Sequence, residues 1–182
     1  MNLQVWVGCL AHYNDGALIG DWVDAAEAPE WKCPRANPND IYITCEETWC
    51  FDHEIPWVSG ELDPVTAGKW AEALEWVPDY YEKAVTAWLK HIGADSPDAA
   101  TEDAFTEAYQ GEYDSPRDHA YDILSDWETD REAQWRDMRK RLGDTIPDDM
   151  DAFFVPPYFS RTFNETDWDS DFSYVDGFVF RD

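Results

Sequence analysis

Residues 3–25, LQVWVGCLAHYNDGALIGDWVDA, contain the pattern on which the fold of the N-terminal part depends. The run at 3–11 is apolar and partly β-branched, which is typical of a mostly buried strand. The Asn-Asp-Gly sequence at 14–16 is a strong turn signal, because glycine tolerates positive φ and Asn or Asp can close the turn locally. A second strand is expected through Trp22, whose ring is predicted to anchor the packing. The stretch therefore predicts an antiparallel hairpin.

The sequence beyond this hairpin divides the chain into three parts. After a proline-bearing loop, the run IYITCEETWCFD (41–52) is predicted to add a third strand or a pair of short ones. Residues 1–62 then form a β-rich N-terminal subdomain, residues 63–111 a helical middle subdomain, and residues 112–182 a mixed α/β C-terminal subdomain. The predicted fold class is α+β, an elongated chain of three small subdomains.

Start and stop signals define the helices of the middle part. The Asp-Pro pair at 63–64 supplies an N-cap and a proline at the first helical position. A second helix is predicted to end at Gly93, and the Ser-Pro pair at 96–97 is predicted to lead into a third that ends at Gly111.

The C-terminal part begins with the longest helical pattern, from the Ser-Pro pair at 115–116 to Gly143. Its last turns hold a basic cluster, predicted to complement the helix C-terminus or to pair with acidic residues within the protein or at a subunit contact. The cluster consists of Arg136, Arg139, Lys140 and Arg141. The Asp-Gly pair at 176–177 predicts a final hairpin turn.

Charge is the outlying property of this chain of 182 residues. Forty Asp and Glu against 13 Lys and Arg give a formal net charge of -27. Such a charge favours solubility and repels both nucleic acid and anionic membranes, so neither is a predicted partner. There is no apolar run of the roughly 20 residues that span a bilayer, and no signal-like leader. The chain is therefore predicted to be cytoplasmic, with a basic surface as its partner.

Metal binding is the first chemistry that the sequence allows us to weigh. Cys33, Cys45, Cys50 and His53 have the spacing C-x11-C-x4-C-x2-H, without the tight CxxC pair that structural zinc sites usually contain. Together with Cys9, these cysteines are better explained as reduced, partly buried thiols of a cytosolic protein. The sequence therefore predicts no metal and no cofactor.

Catalysis is the second chemistry, and the sequence favours a protein that is not an enzyme. A glycoside hydrolase with paired carboxylates and tryptophan platforms stays an alternative, but with 40 acids and 11 Trp such pairs arise by chance throughout the chain. His12, His53, His91 and His119 have no nucleophile motif near them, and no glycine-rich phosphate loop is present.

The acidity itself has two explanations. A salt-adapted surface needs no partner, because its carboxylates serve hydration. A nucleic-acid mimic instead places carboxylates where phosphates would stand for a DNA-binding protein. Since duplex DNA carries roughly two charges per base pair, 40 carboxylates equal the charge of about 20 base pairs, and a dimer would double it.

Four motifs in series resemble those of the ArdA antirestriction proteins. LAHYNDGALIGDWVDA (10–25) resembles that family's amino-terminal Tyr-Asn-x-Gly turn followed by Leu-x-Gly-x-Trp. EETWCFDHE (46–54) resembles its Glu-x-Trp strand, AFTEAYQGEYDS (104–115) its Tyr-x-Gly-x-Tyr/Phe-x-Ser passage, and DGFVFRD (176–182) its terminal strand. The matches occur in the same order and span nearly the whole chain.

The resemblance implies an elongated homodimer whose carboxylates imitate the phosphates of bent B-form DNA. Its implied targets are type I restriction-modification enzymes, which it would occupy in the DNA-binding groove, so that incoming DNA is neither cut nor modified. The family is typical of plasmids, transposons and phages and acts in the bacterial cytoplasm.

The residues predicted to bind the partner are carboxylates that flank the matched motifs or lie on exposed helix faces. We call them the candidate carboxylates: Asp15, Asp21, Asp24, Glu46, Glu47, Asp52, Glu54, Glu72, Glu75, Asp79, Glu82, Glu102, Asp103, Glu107, Glu112, Asp114, Asp118, Asp122 and Asp126.

Overall fold

The computed structural model describes residues 1–36, 45–126 and 165–182. The chain forms two compact units, 1–106 and 107–182. Antiparallel sheets lie near both ends of the sequence with helices between them, which confirms the α+β class. The division into three subdomains stays a prediction.

The sheet of the first unit has the order β2-β1-β3, and both pairings are antiparallel. Its strands are β1 (Gln4–Cys9), β2 (Gly20–Asp24) and β3 (Thr48–His53). β1 is the central strand, and the side chains of Val5 and Val7 on it are fully buried. The strand through Trp22 is confirmed, but the Trp22 side chain is 48% exposed, so its predicted anchoring role is wrong.

The connection between β1 and β2 differs from the predicted hairpin turn. β1 ends at Cys9, and a short helix α1 (Leu10–Asn14) follows. The backbone N–H of Asp15 donates to the carbonyl oxygen of Ala11, and Gly16 has φ +82°, so the turn signal marks the end of this helix. Leu10 and Ala11 favour helix, and neither residue is needed for the pairing of β1 with β2.

Gly20 has a steric role in the same sheet. A Cβ at this position would collide with the carbonyl oxygen of Val7 and with the indole of Trp6. Only glycine therefore allows β2 to pair this closely with β1.

β3 is shorter than predicted. Of the predicted run at 41–52, residues 45–47 are not strand, and residues 41–44 lie outside the described residues. Thr48 is the first β3 residue to pair, opposite Cys9 at the end of β1. The residues after Cys9 are helical, so they offer β3 no strand with which to continue the pairing.

Helices α2 (Pro64–Ala73) and α3 (Glu82–His91) confirm the predicted start and stop signals. The Asp63 carboxylate accepts a hydrogen bond of 3.0 Å from the backbone N–H of Thr66, as an N-cap does. Hydrogen bonds from Thr66 lower the pKa of Asp63 despite its partial burial. Gly93, with φ +60°, follows α3.

The third predicted helix is wrong at both ends. The Ser-Pro pair at 96–97 begins only a 3-10 turn, Pro97–Ala99, and helix α4 runs from Glu102 to Ala108. The residues after it form strand β4 (Tyr109–Glu112), in which Gly111 has φ +134° where the register shifts. Pairing with the C-terminal strand outweighs the helical pattern of this segment.

The second unit contains a sheet with the order β4-β6-β5. Strands β5 (Phe172–Val175) and β6 (Phe178–Arg181) form the predicted hairpin, with positive φ at both turn residues, Asp176 and Gly177. A helix α5 covers 116–126, and a short helix α6 covers Glu165–Trp168. The rest of the predicted helix to Gly143 lies outside the described residues, as does the basic cluster.

His119 lies in the core of this unit. The indole N–H of Trp168 donates a hydrogen bond of 3.0 Å to His119 Nδ1, and the rings of Tyr113 and Phe172 also contact the imidazole. Burial lowers the pKa of His119; the charge of Asp122 opposes this shift and that of Arg181 adds to it.

Acid should therefore destabilise the second unit through His119. Because the folded pKa is the lower one, the stabilisation is complete above the unfolded pKa of about 6.5 and is lost as pH falls towards the folded value. His119→Leu should cost about 1–3 kcal/mol at pH 7.5, since the Trp168 N–H loses its acceptor, and should flatten the dependence. Thermal unfolding between pH 5 and 8 measures both effects. His91→Gln, which changes an exposed residue of the other unit, should keep the wild-type profile.

Candidate functional site

The candidate carboxylates lie at the surface. Seventeen of the 19 are exposed, and Asp24 and Glu82 are half-buried. They come from turns, strand ends and helix faces that turn away from the core. On α2, for example, Glu72 is exposed while Trp70 is buried. All of them are therefore accessible in part or in full.

Among residues 1–36, 45–126 and 165–182, most of these charges have no counter-charge beside them. Glu82 is 3.1 Å from the N-terminal ammonium of Met1, and no other candidate carboxylate forms an ion pair within the described residues. Five more accept local hydrogen bonds: Asp21, Asp24, Asp52, Asp118 and Asp122. These bonds occupy part of each carboxylate but leave its charge in place.

Thirteen candidate carboxylates have neither an ion pair nor a side-chain hydrogen bond among the residues that the structure describes. We call them the free carboxylates: Asp15, Glu46, Glu47, Glu54, Glu72, Glu75, Asp79, Glu102, Asp103, Glu107, Glu112, Asp114 and Asp126. Exposed like charges of this number repel one another in the folded state. Within the described residues these charges have no basic side chain beside them, so solvent ions or a basic partner can approach them.

An open groove of about 630 Å³ in the first unit bears on the hydrolase alternative. Glu72, Asp95 and Asp98 line it, so carboxylates are present. No aromatic ring is among its lining residues in the described chain, although a sugar platform requires one. Trp70 and Trp88 are buried in the core instead. The groove does not combine the two parts that glycoside hydrolysis needs.

A second feature of the first unit is a cluster of three thiols around one imidazole. Cys9, His12, Cys33 and Cys45 each offer one ligand atom, and these four atoms all lie within 4.8 Å of one another. His12 Nδ1 is 3.2 Å from Cys9 Sγ, 3.6 Å from Cys33 Sγ and 3.5 Å from Cys45 Sγ. We call this set the thiol–imidazole cluster.

Four chain segments supply the cluster. Cys9 is the last residue of β1, and His12 lies in the single turn of α1 that follows. Cys33 lies in the loop after the 3-10 turn Ala28–Glu30, and Cys45 lies just before β3. Cys9, His12 and Cys33 are buried, and Cys45 is half-buried.

The thiols of the cluster differ in acidity. Burial opposes ionisation of Cys9, but hydrogen bonds from the side chain and backbone of His12 and from the other two thiols lower the pKa of Cys9 to about 7. Burial, together with the neighbouring Cys9 and Cys33, raises the pKa of Cys45 to about 12. One sulfur of the cluster is thus readily a thiolate, the form in which cysteine binds metal.

Of the ligands considered from the sequence, Cys33 and Cys45 belong to the cluster, whereas Cys50 and His53 lie elsewhere. Cys50 is buried in the sheet, where burial and the Asp63 charge raise its pKa to about 12. His53 is occupied by the chain after β3: its Nε2 lies 2.8 Å from the carbonyl oxygen of Gly60, and its Nδ1 accepts from the N–H of Ile55. Neither residue belongs to the thiol–imidazole cluster.

The missed signal was the spacing Cys9-x2-His12. The predicted strand covered only 3–11, and in extended backbone continued to His12 the two side chains would point to opposite faces. In a helical turn, positions three apart are neighbours. Recognising α1 would have brought Cys9 and His12 together and made their spacing informative.

The fold and surface together define a class: an acidic α+β protein in which most of the candidate carboxylates have no ion pair or side-chain hydrogen bond among the described residues. In the described residues, no helix has the length and apolar character needed to cross a bilayer.

The family follows from comparison with known proteins. A sequence model of the family described as antirestriction protein (ArdA) matches residues 5–172, and the chain belongs to that family. This confirms the resemblance carried by the four motifs. Antirestriction is therefore its class of function, and restriction-modification enzymes are the proteins that it opposes. No curated protein matches the chain.

Proposed function

We propose that this protein is a DNA mimic that occupies the DNA-binding groove of type I restriction-modification enzymes. It acts without catalysis, as a competitor for the basic residues that hold DNA phosphates. Membership of the ArdA family supports the antirestriction part of the proposal, and the free carboxylates carry the part that concerns mimicry. It works in the cytoplasm, where incoming DNA meets these enzymes.

The physical basis is the replacement of one polyanion by another. Lys and Arg side chains in a DNA groove gain affinity for DNA through phosphate contacts that release ions and need no base readout. The free carboxylates, which have no ion pair in the described part of the chain, offer the same contacts and require no sequence recognition. A net charge of -27 also speeds encounter with a basic groove.

We further propose that the active species is a homodimer. One chain carries the charge of about 20 base pairs in its 40 carboxylates, and two chains supply about twice that number. Light scattering on the purified protein should give a mass of two chains. A monomer at concentrations that inhibit fully would contradict this part alone.

The test is competition with DNA for an assembled type I enzyme. Labelled duplex that contains the recognition site is bound to the enzyme, and the protein is added while the anisotropy is followed at several salt concentrations. We expect full displacement at stoichiometric protein in low salt. Affinity should then fall steeply, by about 10³-fold or more between 50 and 200 mM salt, as it does for a protein that makes six to ten phosphate contacts.

Unlabelled duplex of about 20 base pairs is the matched competitor, because it carries a similar number of charges. Its salt dependence should be comparable with that of the protein. If stoichiometric protein leaves the labelled DNA bound, groove occupation is wrong, even if cleavage is blocked. Methylation assayed in the same samples should fall together with cleavage.

A further inference from the structure

We propose that the thiol–imidazole cluster is a structural zinc site, with Cys9, His12, Cys33 and Cys45 as its four ligands. The inference concerns the stability of the first unit and does not depend on the proposed mimicry. The experiments that test it measure the metal content and the absorption spectrum of the bound metal, and neither measurement depends on antirestriction activity.

The distances agree with tetrahedral coordination. Zinc bonds of about 2.3 Å to sulfur and about 2.0–2.1 Å to nitrogen place a sulfur and a nitrogen ligand about 3.6 Å apart, and two sulfurs about 3.8 Å apart. The observed separations from His12 Nδ1 to the three sulfurs are 3.2, 3.6 and 3.5 Å. The full set spans no more than 4.8 Å, so only small side-chain movements separate it from a closed site.

The donor set selects the metal. Three cysteine sulfurs and one imidazole nitrogen form a Cys3His set, which is a common ligand set of structural zinc and leaves no open position for catalysis. Soft thiolates and tetrahedral geometry disfavour magnesium and calcium, which prefer oxygen ligands. The many exposed carboxylates of this chain therefore do not compete as ligands of the same kind.

The local backbone supports the first pair of ligands. Because α1 begins directly after β1, Cys9 and His12 lie one helical turn apart and form a two-ligand unit. The backbone N–H of His12 also hydrogen-bonds to Cys9 Sγ. Hydrogen bonds of this kind orient a ligand and stabilise its thiolate, which is the usual function of groups around a metal site.

The other two ligands explain what the metal would do. Cys33 and Cys45 lie on segments outside the sheet, and zinc would tie both to the end of β1. A cross-link between distant segments restricts the unfolded chain and adds the metal-binding free energy to folding.

The first measurement is the metal content of the wild-type chain. The protein is made without a histidine tag and purified in buffers that contain a reductant and no added metal. Elemental mass spectrometry should then find about one zinc per chain. Reduced, metal-free protein titrated with Co²⁺ should develop the absorption bands of tetrahedral cobalt and of thiolate-to-cobalt charge transfer.

Zinc content below about one-tenth per chain, together with no cobalt–thiolate band, would overturn the proposal. So would a disulfide among the three cysteines in freshly isolated protein, seen as a mass lower by two hydrogens. A strong cobalt–thiolate spectrum in protein isolated without zinc would support the site, because it shows that the ligands assemble around a metal.

Two matched cysteine variants separate ligation from folding. Cys45→Ser changes a half-buried ligand and should lower zinc affinity by at least about a hundredfold, with a weaker cobalt–thiolate band. Cys50→Ala changes a fully buried cysteine outside the cluster and should keep the zinc and the spectrum. Equal metal content in Cys45→Ser and wild type would exclude Cys45 and contradict the four-ligand site.

Discussion

Conversion of the 13 free carboxylates to the corresponding amides should abolish displacement of DNA from a type I enzyme while the protein stays folded. Each exposed ion pair contributes little, and at about 0.3 kcal/mol apiece the set amounts to roughly 4 kcal/mol, or about a thousandfold in affinity. Single changes should alter inhibition only slightly. The melting temperature should stay constant or rise, because the substitutions relieve repulsion.

The control for this result is an equal loss of charge elsewhere. From the exposed carboxylates of the described chain that are not candidates, we choose five as the control set: Glu27, Glu30, Asp95, Asp98 and Asp169. Substitution of these five residues by the corresponding amides should weaken inhibition less than the same substitution of five free carboxylates, for instance Glu46, Glu47, Glu54, Glu72 and Glu75. Equal losses from both sets would show that net charge alone acts and that the candidate carboxylates do not form a defined surface.

Phe105→Ala should unfold or severely destabilise the first unit, by about 3–5 kcal/mol. The side chain is 1% exposed, and its ring packs against those of Trp76, Tyr81 and Trp88 at centroid distances of 5.6, 5.4 and 5.7 Å. Removing it leaves a cavity and also ends these edge-to-face and tilted contacts. Chemical denaturation followed by circular dichroism measures the loss.

Leu18→Ala is the matched control, because it removes an apolar side chain that is 67% exposed and should change stability by no more than about 0.5 kcal/mol. Phe105→Leu should fall between the two. If Phe105→Ala lowered the free energy of unfolding as little as Leu18→Ala, the rings packed around Phe105 would not form the core of this unit.

Local chemistry made part of the fold predictable from the sequence. Asp63 begins α2 through its own side chain, Gly93 permits the end of α3, and the pair at 176–177 closes the last hairpin. Each signal acts within a few residues and needs no knowledge of the rest of the molecule. For this reason, the α+β class and the main helices were predicted correctly.

The errors arose where distant segments decide the structure. Tyr109 continues a helical pattern, but β6 is available to pair with it, and Tyr109 lies opposite Phe180 in the sheet. The thiol–imidazole cluster depends likewise on four segments that the fold brings together. The exposure of the candidate carboxylates on helices was predictable from helix periodicity. The lack of ion pairs at the free carboxylates, as far as the described residues show it, depends instead on where the few Lys and Arg side chains lie.

The free carboxylates have a consequence for how freely this sequence can vary. If the surface acts through the number and spread of its charges, no single acidic position is indispensable. Exchange of Asp for Glu, or movement of a carboxylate to a neighbouring exposed position on α2, should then leave antirestriction intact. Gly20 and Phe105 allow no such exchange, because steric fit fixes both residues. Chains with the same activity could thus share turns and core residues while their surface sequences diverge widely.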